Sequence, residues 1–296
     1  ALLTPDVYIS FSKSGMLCED GRCKTFSAEA NGYVRGEGIG VLMVKRLKDA
    51  IKDGDNIYAV VKGTAENHGG HANSLTAPNP KSQAAVIKRA LQDAEMDFSR
   101  MSYVECHGTG TPLGDPIEIE GLKMVASSST ASKEKQECKL GSIKSNIGHL
   151  EYGAGVVGLL KVILQMKHEK IAKTLHCTEI NPYIKLDGTP FKIAHQSSDW
   201  KQNIAQPRVA GVSSFGFGGV NAHIVLEEYF EPKPATKEET TETAQKMVFV
   251  VSANDPDGLS KYLAKYKEYI QKVDQNTETL ERIAYTLQTC LLYTSD

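Results

Sequence analysis

No stretch of the 296-residue chain approaches the roughly 20 consecutive apolar residues of a membrane-spanning helix, so no membrane span is expected. Nor does one sign of charge dominate: 34 Lys and Arg stand against 36 Asp and Glu, a net charge of −2. That balance gives no electrostatic footing for nucleic acid or an anionic membrane. The opening residues, Ala1-Leu2-Leu3-Thr4-Pro5, lack a basic segment followed by an apolar core, so no signal peptide is visible. The six cysteines (Cys18, Cys23, Cys106, Cys138, Cys177, Cys290) are scattered and form no CxxC. This disfavours a zinc site or a disulfide scaffold and points to free thiols in a reducing cytoplasm, with no metal.

Composition changes sharply once. From Glu231 to Lys246 the chain reads EPKPATKEETTETAQK, which offers too little apolar surface to offset its ordering entropy. A charged linker over 231–246 therefore divides a domain at 1–230 from a smaller unit at 247–289, with a tail at 290–296. Before the linker, strands and helices alternate, which predicts α/β layers with catalytic loops at strand ends. Strands are expected at Ile57–Gly63, Ser102–Cys106, Leu140–Ile143, Arg208–Ser214 and Ala222–Glu228. Asn79-Pro80 opens a helix to about Glu95, and Asp115-Pro116-Ile117-Glu118 gives an N-cap, a first-turn proline and an acid at N3. A helix from about His149 to Lys167 carries Gly153, Gly155 and Gly158 among aliphatic residues. Each interior glycine costs about 0.5–1 kcal/mol relative to alanine, which is offset where backbones approach closely; the pattern predicts a helix in the centre of the fold. After the linker, Met247–Ala253 reads as a strand, and Asp255-Pro256 opens a helix with Leu259, Tyr262, Leu263, Tyr266, Tyr269, Ile270 and Val273 on one stripe.

Three segments carry candidate chemistry: Glu105-Cys106-His107-Gly108-Thr109-Gly110-Thr111, Lys144-Ser145-Asn146-Ile147-Gly148-His149, and Gly216-Phe217-Gly218-Gly219-Val220-Asn221-Ala222-His223. His107 sits beside glycines and hydroxyls, where a ligand can approach the backbone. His149 falls at a predicted helix N-terminus, whose dipole disfavours imidazolium. A neutral imidazole there donates a hydrogen bond and polarises a carbonyl. The Gly-Phe-Gly-Gly turn exposes backbone N–H groups, the raw material of an oxyanion hole. Lys144, five residues before His149, is placed to support it electrostatically.

Plainer readings compete for several of these residues. A single loop histidine is more often structural than catalytic. His68 and His71 have no acidic or cysteine partner nearby and read as a surface loop, while His168, His176 and His195 have no supporting context. His223 lies within a strand and reads as packed. Cys106 is adjacent to His107, but neighbouring strand residues face opposite ways, so it reads as a small buried hydrophobe. None of the glycine-rich loops fits a phosphate-binding pattern.

Taken together, the three segments resemble the β-ketoacyl synthase (ketosynthase) domain of modular polyketide synthases, within the thiolase-like superfamily. The likeness runs from about Leu3 to Glu228 and includes Gly15-Met16-Leu17, Gly21-Arg22-Cys23-Lys24-Thr25-Phe26, Gly32-Tyr33-Val34-Arg35-Gly36-Glu37-Gly38, Thr76-Ala77-Pro78-Asn79 and Gly114-Asp115-Pro116-Ile117-Glu118. Asn67-His68-Gly69-Gly70 and the segment after the linker look most like the bacterial type whose acyltransferase is a separate protein. The resemblance implies a layered αβαβα fold lacking its N-terminal part, followed by a small α/β linker domain. It implies that His107 and His149 bind the malonyl thioester carbonyl and stabilise the enolate, with Lys144 in support. It further implies that Thr109, Thr111, Gly218 and Gly219 line the phosphopantetheine arm, and that Phe217 is a gatekeeper whose N–H is half of the oxyanion hole. The resemblance also implies that no cofactor is bound directly, that phosphopantetheine arrives on a partner acyl carrier protein, and that the parent is a cytoplasmic homodimer working with other synthase domains and a separate acyltransferase.

The chain departs from the family pattern in two places. The family nucleophile, a cysteine in an Ala-Cys-Ser-Ser-like segment, lies upstream of the part matching Ala1, and none of the six cysteines occupies such a segment. At the other end, Ile283–Gln288 resembles the post-ketosynthase linker domain, which normally continues with Gly-Arg, whereas here Cys290-Leu291-Leu292-Tyr293-Thr294-Ser295-Asp296 follows. The expectation is that 290–296 is a frame or assembly artefact. The implied function is decarboxylative Claisen condensation by the parent, with this chain inactive alone. A non-elongating transfer or docking module is the alternative, against which the intact histidine pair argues, and a condensing enzyme of fatty-acid synthesis is a third reading.

Overall fold

A computed structural model describes residues 2–70, 78–128, 137–201, 207–230, 247–273 and 277–289. The expected linker at 231–246 and tail at 290–296 lie outside the described residues, as do His71 and the Thr76-Ala77 motif. The chain divides into two compact units, Ala1–Glu231 and Pro232–Asp296.

The first unit runs α1 (Asp6–Lys13), α2 (Leu47–Asp53), β1 (Ala59–His68), α3 (Pro80–Asp93), β2 (Tyr103–Glu105), α4 (Gly114–Ala126), β3 (Cys138–Gly141), α5 (Lys144–Ile147), α6 (Ala154–Lys167), β4 (Lys170–Ile171), β5 (Phe191–Ile193), β6 (Ser198–Asp199), β7 (Val209–Phe215) and β8 (Val220–Glu228). Six strands form one mixed sheet in the order β1-β8-β7-β2-β3-β5. Strands β1, β8 and β7 are antiparallel neighbours, whereas β7, β2, β3 and β5 run parallel. β4 and β6 make a separate two-stranded ladder.

Alternation on the central strand sorts the two faces. Val104 joins a core with Val86, Ile87, Ala90, Ile119 and Leu122 of α3 and α4. Tyr103 points the other way, into a core with Val162 and Met166 of α6 and with Trp200. Asn79 caps α3 as the sequence predicts, its side chain accepting from the N–H groups of Lys81 and Ser82. Glycine in α6 permits close approach: a Cβ on Gly158 would lie 3.3 Å from both Glu105 Cγ and Val212 Cγ1. The expected central placement of this helix holds on one side only. Its inner face is buried on the six-stranded sheet, while Leu164 remains 52% exposed; the segment at Gly38 and Gly40 packs against Leu150, Val156 and Leu160.

In the second unit, α7 (Pro256–Lys272) begins as predicted, with Asp255 accepting from Gly258 N–H. It is followed by α8 (Thr277–Thr289), which buries Ala284 and Leu287. Residues 247–253, expected as a strand, form none: no neighbouring strand among the described residues supplies a ladder, and the Val248 carbonyl instead accepts from Gln288 Nε2. No residue of α7 is fully buried: Leu259, Tyr266, Ile270 and Val273 of its apolar stripe are half-buried, while Tyr262, Leu263 and Tyr269 are exposed.

His223, read as a packed strand residue, is fully buried on β8 with Nδ1 3.0 Å from Ser213 Oγ. Burial lowers its pKa to about 3, so its neutral form contributes stability that is complete above about pH 6.5 and is lost as the pH falls toward 3. A His223→Leu variant is expected to lose less stability on acidification than the unmodified chain, by about 1.4 kcal/mol per pH unit between pH 6 and 4. Denaturant unfolding at several pH values measures this, and parallel pH slopes would contradict it.

Candidate active site

The three candidate segments leave the carboxyl ends of adjacent parallel strands. Glu105, the last residue of β2, is in register with Gly141 of β3 and Val212 of β7. The loop with His107 follows β2, the segment with Lys144 and His149 follows β3, and the glycine turn follows β7. Their convergence is thus a property of the sheet, which places crevices at its strands' carboxyl ends.

The two histidine rings meet edge to face, with centroids 5.5 Å apart and an interplanar angle of 82°. His107 also stacks 5.7 Å from Phe215, and His149 5.1 Å from Tyr33. Each ring is oriented by one backbone donor. The Phe215 N–H donates to His107 Nδ1 over 3.3 Å, and the Glu151 N–H donates to His149 Nδ1 over 2.8 Å. With Nδ1 accepting, each neutral ring carries its proton on Nε2 and presents that N–H as a donor. Burial is the main cause holding both rings neutral, with the Lys144 charge adding to it. The His107 pKa lies well below its ordinary value, and that of His149 falls to about 3.

The sequence assigns the neutrality of His149 to a helix N-terminus. In the structure α6 begins at Ala154, after a single 3-10 turn at Glu151–Gly153, so the ring is governed by one N–H and by desolvation. Glu151 supplies that N–H from a left-handed conformation (φ 53°), a costly geometry for a non-glycine residue. Its carboxylate is gripped by Arg35 through bonds of 2.5 and 2.9 Å, while the His149 backbone is clamped by Val34 O and Gly36 N–H.

Lys144 is buried at the start of α5. Burial pulls its pKa down, against the opposing pull of Glu105, Glu118 and Asp115. Thr109 and Thr111 lie in the His107 loop with their hydroxyls 3.3 Å apart, and Thr111 Oγ1 also accepts from Gly114 N–H. Phe217 is 58% exposed at the tip of the glycine turn, its ring 6.2 Å from Phe11. Gly218 and Gly219 follow with φ of 102° and 98°, so the turn relies on residues without a side chain.

Sequence reasoning missed the supports of this site. Asp115 and Glu118 are expected to cap α4, but the helix begins at Gly114 without a side-chain cap. Both carboxylates instead reach back to the loop. Glu118 accepts from the His107 and Gly108 N–H groups at 2.7 and 2.9 Å, and Asp115 from those of Phe26 and Gly110 at 2.7 and 3.1 Å. Burial raises both acids, Asp115 to about 6. The one-turn spacing Asp-x-x-Glu behind a glycine loop was the available signal. His68, expected in a free surface loop, ends β1 and ties to the glycine turn: its Nε2 lies 2.9 Å from Gly218 O, and its Nδ1 accepts from Gly70 N–H. Cys106 is buried, as expected of a small hydrophobe. Among the described residues no cluster of three or more His, Cys, Asp or Glu is gathered to hold a metal, and no helix is long and apolar enough to cross a membrane.

Comparison with known proteins assigns this sheet and these loops to a thiolase-like fold. The chain matches the family descriptions "Beta-ketoacyl synthase, N-terminal domain" over residues 1–50, "Beta-ketoacyl synthase, C-terminal domain" over 58–178 and "Ketoacyl-synthetase C-terminal extension" over 181–291. It is 46% identical over 296 residues to polyketide synthase PksN of Bacillus subtilis, covering 97% of this chain and 5% of that protein. With polyketide synthase ThaG of Burkholderia thailandensis the identity is 43%, covering 96% of this chain and 5% of that protein. Among solved structures, the ketosynthase from module 6 of the bacillaene synthase of Bacillus subtilis is 41% identical with a TM-score of 0.78, covering 97% of this chain and 48% of that one. An oxazolomycin ketosynthase domain of Streptomyces albus is 37% identical with a TM-score of 0.77, again covering 97% of this chain and 48% of that one. The chain belongs to the β-ketoacyl synthase family of polyketide synthases and spans about half the length of the solved ketosynthases it matches.

Two measurements check this geometry. The ring nitrogens of His149 are expected to keep the neutral Nε2–H pattern by 15N NMR from pH 8 to 5; a titration midpoint near 6.5 would contradict the site as described. Glu118→Gln turns one acceptor into a donor facing a backbone N–H, a loss of about 1–3 kcal/mol. The amides of His107 and Gly108 are then expected to exchange roughly tenfold to hundredfold faster, and unchanged protection would show that Glu118 does not brace the loop.

Proposed function

We propose that these loops form the malonyl-handling half of a ketosynthase that extends polyketide chains by decarboxylative Claisen condensation. The observation carrying this reading is the pair of facing histidines, each with Nδ1 committed to a backbone N–H and held neutral by burial. The Nε2–H groups of His107 and His149 bind the carbonyl oxygen of a malonyl thioester. The bond to the carboxylate breaks, carbon dioxide leaves, and the electron pair passes into the thioester as an enolate whose charge the two donors stabilise. The enolate carbon attacks an enzyme-bound acyl thioester, a carbon–carbon bond forms, and the cysteine thiolate departs. Lys144 keeps the histidines unprotonated through its charge. The N–H of Phe217 contributes to the oxyanion hole for that attack, and Thr109, Thr111, Gly218 and Gly219 line the path of the phosphopantetheine arm, which the partner acyl carrier protein brings.

The acyl-accepting thiol is assigned to sequence outside 1–296. Burial pushes the Cys23 and Cys177 thiols up to about 11, raises that of Cys106 well above its ordinary value and raises that of Cys138 too, so none of these four is poised as a thiolate. The parent is read as a cytoplasmic homodimer within a multidomain synthase served by a separate acyltransferase. The five described cysteines are free, which suits a reducing compartment. The domain limits are placed at 1–230 and 247–289.

The test compares this chain with the complete ketosynthase containing it, given acyl and malonyl carrier proteins. The 296-residue chain is expected to form no condensation product. In the complete enzyme, His107→Ala is expected to lower extension by about 10²–10³-fold while acyl loading continues. Condensation by the isolated chain would refute the assignment of the thiol, and undiminished extension in His107→Ala would refute the role of the histidine.

A further inference from the structure

Glu105 and Lys161 form an ion pair of 2.8 Å whose side chains are only 2% and 6% exposed. The carboxylate is fully engaged. Its Oε2 accepts from Lys161 Nζ at 2.8 Å and from the Tyr103 hydroxyl at 2.7 Å, and its Oε1 accepts from the Ile143 N–H at 2.5 Å. Lys161 Nζ also lies 2.9 Å from the Tyr103 hydroxyl. Stability alone is a poor reason for such a cluster, since buried ion pairs are often matched or surpassed by apolar residues of similar volume.

What the cluster joins is more telling. Glu105 ends β2, two residues before His107. Ile143 directly precedes Lys144 and opens the segment that ends at His149. Lys161 stands on α6, the helix that continues from that segment, where Gly158 leaves the space the glutamate occupies. One carboxylate therefore fastens the strand that delivers one histidine, the backbone that delivers the other, and the helix behind both. Glu105 also lies among the acids whose charge favours the protonated form of Lys144.

We propose that Glu105, fixed by Lys161 and Tyr103, is a positioning residue that sets the separation of the His107 loop from the Lys144–His149 loop. The proposal rests on the condensation reading above, because catalysis is where a separation of two loops is felt. A displacement of about 1 Å at such a site can cost on the order of a hundredfold in rate without altering what is bound.

The test uses the complete ketosynthase. Glu105→Asp keeps the charge but draws the carboxylate back by one methylene from the Ile143 N–H. It is expected to lower kcat at least tenfold with KM for the malonyl carrier protein within twofold. The pair Glu105→Gln with Lys161→Met, neutral and of similar volume, is expected to melt within a few degrees of the parent and yet stay slow, a split that a purely structural role would not give. A kcat within twofold of the parent in either folded variant overturns the proposal. Should neither fold, Tyr103→Phe removes a single hydroxyl; a two- to fivefold fall in kcat at constant KM supports the proposal and an unchanged kcat overturns it. An unmodified enzyme that condenses nothing would refute the functional reading separately. The 15N ring signals of His107 and His149 in the 296-residue Glu105→Asp chain then decide the positioning: a shift supports it, and unmoved signals overturn it.

Discussion

Parallel pairing of β7, β2 and β3 is the constraint from which the rest follows. Parallel strands end on one side of a sheet, and the register that sets Glu105 beside Gly141 and Val212 ends β2 and β3 at one level, with β7 running three residues further to Phe215. His107 and Lys144 are 37 positions apart and His149 and Gly216 67, so no local preference could gather the segments that follow. The sheet does so at the cost of closing long loops, and the cores on its two faces supply the burial that offsets it.

Once gathered, the segments are held by buried charge aimed at backbone. Glu118, Asp115 and Glu105 each accept from main-chain N–H groups in or beside the candidate loops. An acceptor that engages two N–H groups fixes a loop more tightly than packing against glycine can, because a glycine has no side chain to pack. The same exclusion of water depresses both histidines. Burial thereby performs two tasks: it strengthens the hydrogen bonds that orient the rings, and it keeps the rings as neutral donors.

Most of the framework was legible from the chain. The short apolar run Ser102–Cys106, the Asn79 cap of α3 and the strands on either side of the Gly-Phe-Gly-Gly turn are local signals, and the structure has elements where they fall. The candidate segments could be picked out by residue type as well. Their supports could not. Glu118 reads locally as a helix-start acid, and only the folded backbone shows it turned toward His107. Arg35 and Glu151 are 116 positions apart, and their pairing has no sequence signature. The apolar run at 247–253 misled because a strand needs a partner, which composition does not report. The separation of Glu105 from Lys161, 56 positions, hid the tie between the candidate loops for the same reason.

The central claim is that two neutral imidazoles point their Nε2–H groups at a single oxygen. The most direct check is a crystal structure with a malonyl-pantetheine analogue in which an amide replaces the thioester. The account predicts the carbonyl oxygen within about 2.6–3.2 Å of Nε2 on both His107 and His149, with both Nδ1 atoms still accepting from the Phe215 and Glu151 N–H groups. A carbonyl bound away from either ring, or a ring turned so that Nδ1 faces the ligand, would contradict it.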